Sequence, residues 1–169
     1  MSCPGIAANR SCLEQALDLL DRLDDDQYAR RRGDWAPVGA QYRHVVEHYL
    51  CLLEGVPDRR IDYDARRRDV TLEVSRQHAI EVTRDLHGRL AVLDGLPEAE
   101  PLEVQTRTVT DRAEPEWAGS TLGREIQFLV SHTIHHFALI RLLLAPDGLQ
   151  LPAEFGVAPS TLAHADVRG

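Results

Sequence analysis

The segment Ser131-His132-Thr133-Ile134-His135-His136-Phe137 places three imidazoles inside an apolar stretch that runs from Leu122 to Leu144. On an α-helix His132 and His136 stand one turn apart on one face, so both rings can address a single metal ion, whereas His135 points elsewhere. The pair is a two-pronged metal clip that needs a third ligand from another element. A second H-x-x-x-H pair, His44 and His48, shares a stripe with Gln41 and Cys51. If the two stripes face each other, His44 joins His132 and His136 in a three-imidazole site with one or two open positions. His48, one turn further, can replace His44, join it, or act as a base beside the ion. Nitrogen donors with an open position suit Zn(II), Ni(II), Fe(II) or Mn(II). A ferritin-type iron site is disfavoured because the Glu-x-x-His pairs are missing, and a hemerythrin-like di-iron site lacks an evident set of bridging acids.

Around this core the chain offers further reactive groups. Glu125 lies two turns before His132 on the same stripe, suited to orient an imidazole, to serve as a base, or to pair structurally with Arg43 or Arg124. Arg66, Arg67 and Arg68 can clamp the carboxylates of an anionic small molecule, with Tyr63 closing the pocket; the competing expectation is a solvated run paired with Asp62, Asp64 and Asp69. Cys51 lies about two turns beyond His44 and is expected to be no nucleophile. His78, His87 and His164 read as surface or packing residues.

The elements that must position these groups follow from periodicity. Ser11-x-x-Glu14 has the form of a capping box and predicts a first helix to about Tyr28, with Leu13, Leu17, Leu20 and Leu23 as its stripe. A second helix is predicted from near Pro37 to Leu53, stopped by Gly55, with Val38, Tyr42, Val45, Val46, Tyr49 and Leu53 facing the core. Val56 to Arg68 reads as a charged loop, and Asp69 caps a third helix from about Val70 to Leu93. Leu102, Val104 and Val109 among threonines, up to Trp117, suggest a small hairpin or extended excursion. Ser120 or Thr121 caps the histidine helix, which Pro146 and Gly148 end at about Leu144. The tail beyond Leu149 is expected to be extended, with at most a short helical turn. The sum is an all-α, single-domain four-helix bundle over residues 1–169, with a long connection before the last helix.

Composition narrows the partners. A chain of 169 residues with 19 basic and 27 acidic side chains carries a net charge of -8, which argues against nucleic acid and against anionic membranes. All basic residues are arginine, which excludes Schiff-base chemistry on lysine. Three cysteines without C-x-x-C spacing and the lack of an apolar leader lead to the expectation of a reducing cytoplasm. Arg124, Glu125, the histidines and Arg141 interrupt the most apolar run, so no membrane span is expected.

Two motifs carry a resemblance. Trp35-Ala-Pro-Val-Gly-Ala-Gln-Tyr-Arg-His44 and His132-Thr-Ile-His-His136 are similar to those of the DinB/YfiT-like superfamily of helical-bundle metalloenzymes. A narrower likeness to a DinB-like subgroup lies in Ile61 to Asp69, Arg124-Glu125 and Phe155 to Thr161. Pro37 stands where the family often has serine, and the step from Trp35 to His44 is one residue longer than usual. The resemblance implies a metal triad of His44, His132 and His136, a homodimer, and a transferase or hydrolase that uses a low-molecular-weight thiol such as bacillithiol, mycothiol or glutathione. A non-catalytic metal-binding or regulatory bundle is the alternative.

Overall fold

A computed structural model describes residues 3–108 and 116–166. The protein is mostly helical with one small sheet. Helix α1 spans Pro4–Arg22, α2 Asp25–Ala29, α3 Val38–Gly55, α4 Val70–Val74, α5 Arg76–Arg89, α6 Leu122–Leu144 and α7 Pro159–Asp166; the strands are β1 Arg60–Asp62, β2 Pro101–Gln105 and β3 Trp117–Thr121. Among the four longest helices, α1 packs on α5 and α6, and α3 packs on α5 and α6. The apolar face predicted for the second helix is the one buried, from Val38 to Leu53.

Several boundaries differ from the sequence expectation for identifiable reasons. Helix α1 starts at Pro4, where a missing N–H costs nothing, so Ser11 and Glu14 lie inside it and cap no helix. It ends at Arg22; Asp24 and Gln27 form a true capping box that opens α2. The predicted third helix is broken at Ser75, whose hydroxyl accepts the His78 N–H at 3.2 Å, and it finishes as a 3-10 turn over Leu90–Leu93. The tail contains the eight-residue helix α7 where at most one turn was expected.

The histidine helix opens where predicted, with Thr121 accepting the Arg124 N–H. By length and composition alone, Leu122–Asp147 would be enough to cross a membrane, contrary to the expectation that no segment is. One face of it, including Ile126, Leu129, Phe137 and Ile140, is nonetheless buried in the helical core. The tail is anchored on the same helix: Phe155 stacks on Phe137 with ring centroids 4.6 Å apart, and Arg141 donates to the carbonyls of Pro152 and Phe155. Gly156 makes this approach possible, since a Cβ there would collide with the backbone of Ala138 and its φ is +70°.

The small sheet is the larger departure. Strand β2 pairs antiparallel with β3, as a hairpin requires, but it also pairs in parallel with β1, which lies in the predicted charged loop. Val109 lies outside the described residues. Trp117, expected to end the excursion, begins β3. Ile61 is fully buried, and the Tyr63 N–H donates to the Gln105 carbonyl at 3.0 Å, so the chain after β1 is aimed back over the seam between α3 and α6.

The core includes a polar tie across three helices. Tyr49 of α3 donates to Asn9 Oδ1 at 2.8 Å, and Asn9 Nδ2 donates to the carbonyls of Gly5 and Ile126 at 2.8 and 3.0 Å. All three contacts lie in buried or partly buried surroundings, where an unpaired polar group costs about 1–3 kcal/mol. Asn9→Ala should therefore lower unfolding stability by about 1–3 kcal/mol; urea titration checks this, and a midpoint equal to wild type would refute it.

Candidate metal centre in the seam of two helices

Helices α3 and α6 bury their apolar faces and leave between them a line of polar side chains. Gln41, His44 and His48 recur at three- and four-residue steps on α3, and Phe128, His132 and His136 at four-residue steps on α6, so each set forms one stripe. Ligand-type nitrogens of His44, His132 and His136 all lie within 4.8 Å of one another. His44 Nε2 and His132 Nε2 approach to 3.1 Å. That separation is close to the roughly 3.3 Å edge of a tetrahedron built on nitrogen–metal bonds of about 2.0–2.1 Å.

The partners of each ring fix which nitrogen is free. His136 Nδ1 donates to Gln41 Oε1 at 2.7 Å, leaving a lone pair on Nε2. His48 Nδ1 donates to the His44 carbonyl at 2.7 Å, and its Nε2 faces the Arg66 guanidinium at 3.4 Å. His48 is thus turned toward Arg66, and His44 belongs to the three-nitrogen group, which separates two residues that spacing left as alternatives. His132 Nδ1 is buried with no hydrogen-bond partner, while its Nε2 meets that of His44. A cation shared by the three rings would use donors that otherwise have only each other, and the residues present therefore fit a divalent ion with nitrogen ligands.

All four rings resist protonation. Burial pushes His44, His48 and His136 down to about 4, aided at His44 by the charges of Arg66 and Arg43 and at His136 by His44 and His135. His132 falls furthest, to about 2, through burial and then the neighbouring His48, His136 and His44. Neutral imidazole is the form that binds metal.

Other predicted residues take definite places. Tyr63 stacks on His48, with centroids 5.3 Å apart, and its hydroxyl donates to Glu125 Oε2 at 2.9 Å. Burial and then the Glu125 charge hold the Tyr63 phenol protonated. Glu125 is buried, takes a second hydrogen bond from Ser120 at 2.5 Å, and is linked to His48 through Tyr63. Its expected partner Arg43 instead pairs with Glu73 at 2.6 Å.

The arginine triplet splits. Arg66 turns inward, donating to the Tyr63 carbonyl and lying 4.0 Å from the buried Glu47 carboxylate. Arg67 pairs with Glu54 at 2.7 Å, and Arg68 donates to the Arg66 carbonyl at 3.3 Å. None of the three shows the expected pairing with Asp62, Asp64 or Asp69: Asp62 accepts backbone N–H groups of Asp64 and Ala65, Asp64 that of Arg107, and Asp69 caps α4.

Burial raises the Cys51 thiol to about 11, which keeps it a neutral thiol. His135 is exposed, with its ring edge-on to His136. Residue types and spacing gave no role to three groups. Gln41 and Phe128, the latter stacked on His132, stand within one turn of the histidines, so helical spacing could have found them. Glu47 accepts the Asp69 N–H at 2.7 Å inside the protein, and nothing in its local sequence marks it as buried.

Long helices with three imidazoles converging in one seam define a helical protein that can hold a metal ion. The chain belongs to the DinB superfamily, whose sequence profile matches residues 9–140. It is also similar to "FK506-binding protein 5" of Rhizopus delemar, with 30% identity over 104 residues, which cover 62% of this chain and 27% of that protein. The chain thus spans about a quarter of the curated relative. No solved structure matches at a significant level.

The depressed histidines give a signed pH dependence. Unfolded, each takes up a proton near pH 6.5; folded, they do so only near 4 or below, so the unfolded state binds more protons between these values. Their effect on stability is absent above about pH 6.5 and increasingly unfavourable as pH falls from there toward 4. Thermal melts of chelator-treated protein from pH 7.5 to 4.5 should fall more steeply for wild type than for His132→Phe. Parallel curves would show that the rings are not held neutral by the fold.

Proposed function

We propose that the protein is a metal-dependent transferase or hydrolase of the DinB-like four-helix-bundle type, acting with a low-molecular-weight thiol in the cytoplasm as a homodimer. The observation that carries the enzymatic reading is the size of the donor set. Three imidazoles converge, and among the described residues no fourth protein ligand joins them. Structural sites are closed by four protein ligands, whereas catalytic ones keep a position open. The alternative, a non-catalytic or regulatory metal-binding bundle, requires a closed shell.

His44, His132 and His136 hold the ion, with zinc the first candidate and nickel, iron or manganese the others. Once bound there, a divalent ion supplies Lewis acidity and lowers the pKa of a coordinated thiol or water. The protein's own groups provide the rest. Gln41 holds His136 in the tautomer that presents Nε2. Arg66, kept inward by the Tyr63 carbonyl and by Glu47, offers a guanidinium to a carboxylate of the thiol cosubstrate. His48 stays neutral beside it, its Nε2 facing the Arg66 guanidinium, and Tyr63 closes the wall behind His48 with its hydroxyl fixed by Glu125.

Two measurements test this reading. Protein purified without an affinity tag should contain about one equivalent of divalent metal by elemental analysis, and His132→Ala and His136→Ala should lose it. Full metal content in both variants would sink the site. In zinc-loaded protein, Arg66→Gln should weaken glutathione binding tenfold or more by calorimetry, in line with a charged hydrogen bond of about 1.5–3 kcal/mol, while 2-mercaptoethanol, which has no carboxylate, binds equally to both. Equal weakening of the two thiols would remove Arg66 from anion recognition.

A further inference from the structure

The seam of α3 and α6 does not end at the histidines. Beyond Gln41 it opens into a cavity of about 340 Å³ walled by Trp35, Ala36, Leu139, Leu142, Leu143 and Pro146. That volume lies within the range of small-molecule pockets, as does an apolar lining with few polar groups. Leu139 and Leu143 continue the stripe of His132 and His136 toward the C-terminal end of α6. Gln41 both lines the cavity and accepts a hydrogen bond from His136 Nδ1, so one side chain borders the two places.

The cavity is built by specific contacts. The loop carrying Trp35 is bound to the far end of α6 by Arg30 and Arg32, which both pair with the largely buried Asp147. Gly33, at φ +61°, makes the turn that brings Trp35 back into backbone pairing with Arg32. Trp35 and Leu142 nonetheless remain 70% and 69% exposed, a cost to leave uncovered at one site. Arg32, in the wall, also keeps a buried Nε–H without a protein partner.

We infer that this pocket binds the apolar part of the small molecule whose reacting group is held at His44, His132 and His136. The inference rests on the metal-centre reading above and adds a substrate class. The acceptor substrate carries an aliphatic or aromatic body next to its reacting group, while the anionic grip of Arg66 lies on the opposite side of the histidines, beyond His48.

The test uses the full chain with Trp117→Phe, which leaves Trp35 as the single tryptophan. Straight-chain hydroxamates from four to eight carbons, titrated into zinc-loaded protein, should bind about fourfold tighter per added methylene and shift the Trp35 emission to the blue. Leu142→Asn, at an exposed position that folding tolerates, should flatten that series. Neutral n-alkanols of the same lengths, added to metal-free protein, should shift Trp35 emission with the same order of chain lengths. Affinity independent of length in both series overturns the pocket. If the protein binds no zinc, the metal reading fails by itself, and the alkanols alone then judge the pocket. Sedimentation supplies the remaining outcome: a dimer that Leu142→Asn converts to monomer makes this face a subunit contact and overturns the inference.

Discussion

Everything distinctive about this protein follows from packing four neutral imidazoles between two apolar helices. Neighbouring rings lie 4.1 to 5.0 Å apart at their centroids, too close to tolerate more than a minimum of positive charge. Each buried ring nitrogen needs a partner, because an unsatisfied one costs free energy that helix packing must offset. The fold supplies partners unevenly. Gln41 serves His136, the His44 carbonyl serves His48, and His132 Nδ1 is left with none.

The surrounding elements make sense as supports for this seam. A three-residue strand, β1, has little stability of its own, yet its pairing with β2 fixes where Tyr63 and Arg66 fall relative to His48. Glu47 and Glu125, both buried, anchor that segment from below: one holds the Asp69 backbone and faces Arg66, the other holds the Tyr63 hydroxyl. A close backbone approach serves the same end on the other flank, since a Cβ at Gly39 would overlap the Glu73 carbonyl at the foot of α4. The residues with most of the chemistry sit on α3 and α6, and their neighbours are held by loops that rigid helices and the sheet pin in place.

Membership of the DinB superfamily fixes the kind of scaffold and leaves the reaction to the site, because one fold hosts many chemistries. The features that separate one chemistry from another here are local: three nitrogen donors, an inward arginine on one side and an apolar cavity on the other. Their order along a single seam allows one molecule, or two meeting at the histidines, to present charge at one end and hydrocarbon at the other.

The sequence by itself determined the helical character, the buried face of α3, and the placement of His132 with His136, because 3.6-residue periodicity is a local property that spacing records directly. It also put His44 and His48 on one stripe with Gln41. It could not choose between the two histidines, since both lie on that stripe and only the packing of α3 against α6 brings His44 Nε2 to His132 Nε2 and leaves His48 Nε2 facing Arg66. Nor could it show the parallel pairing of Ile61 with Val104, 43 positions apart, or the inward turn of Arg66 away from its acidic neighbours in the chain. The clasp of Arg30 and Arg32 on Asp147 was equally hidden. Each of these joins residues distant in sequence, and such contacts exist only once the helices have docked and removed the competing solvent.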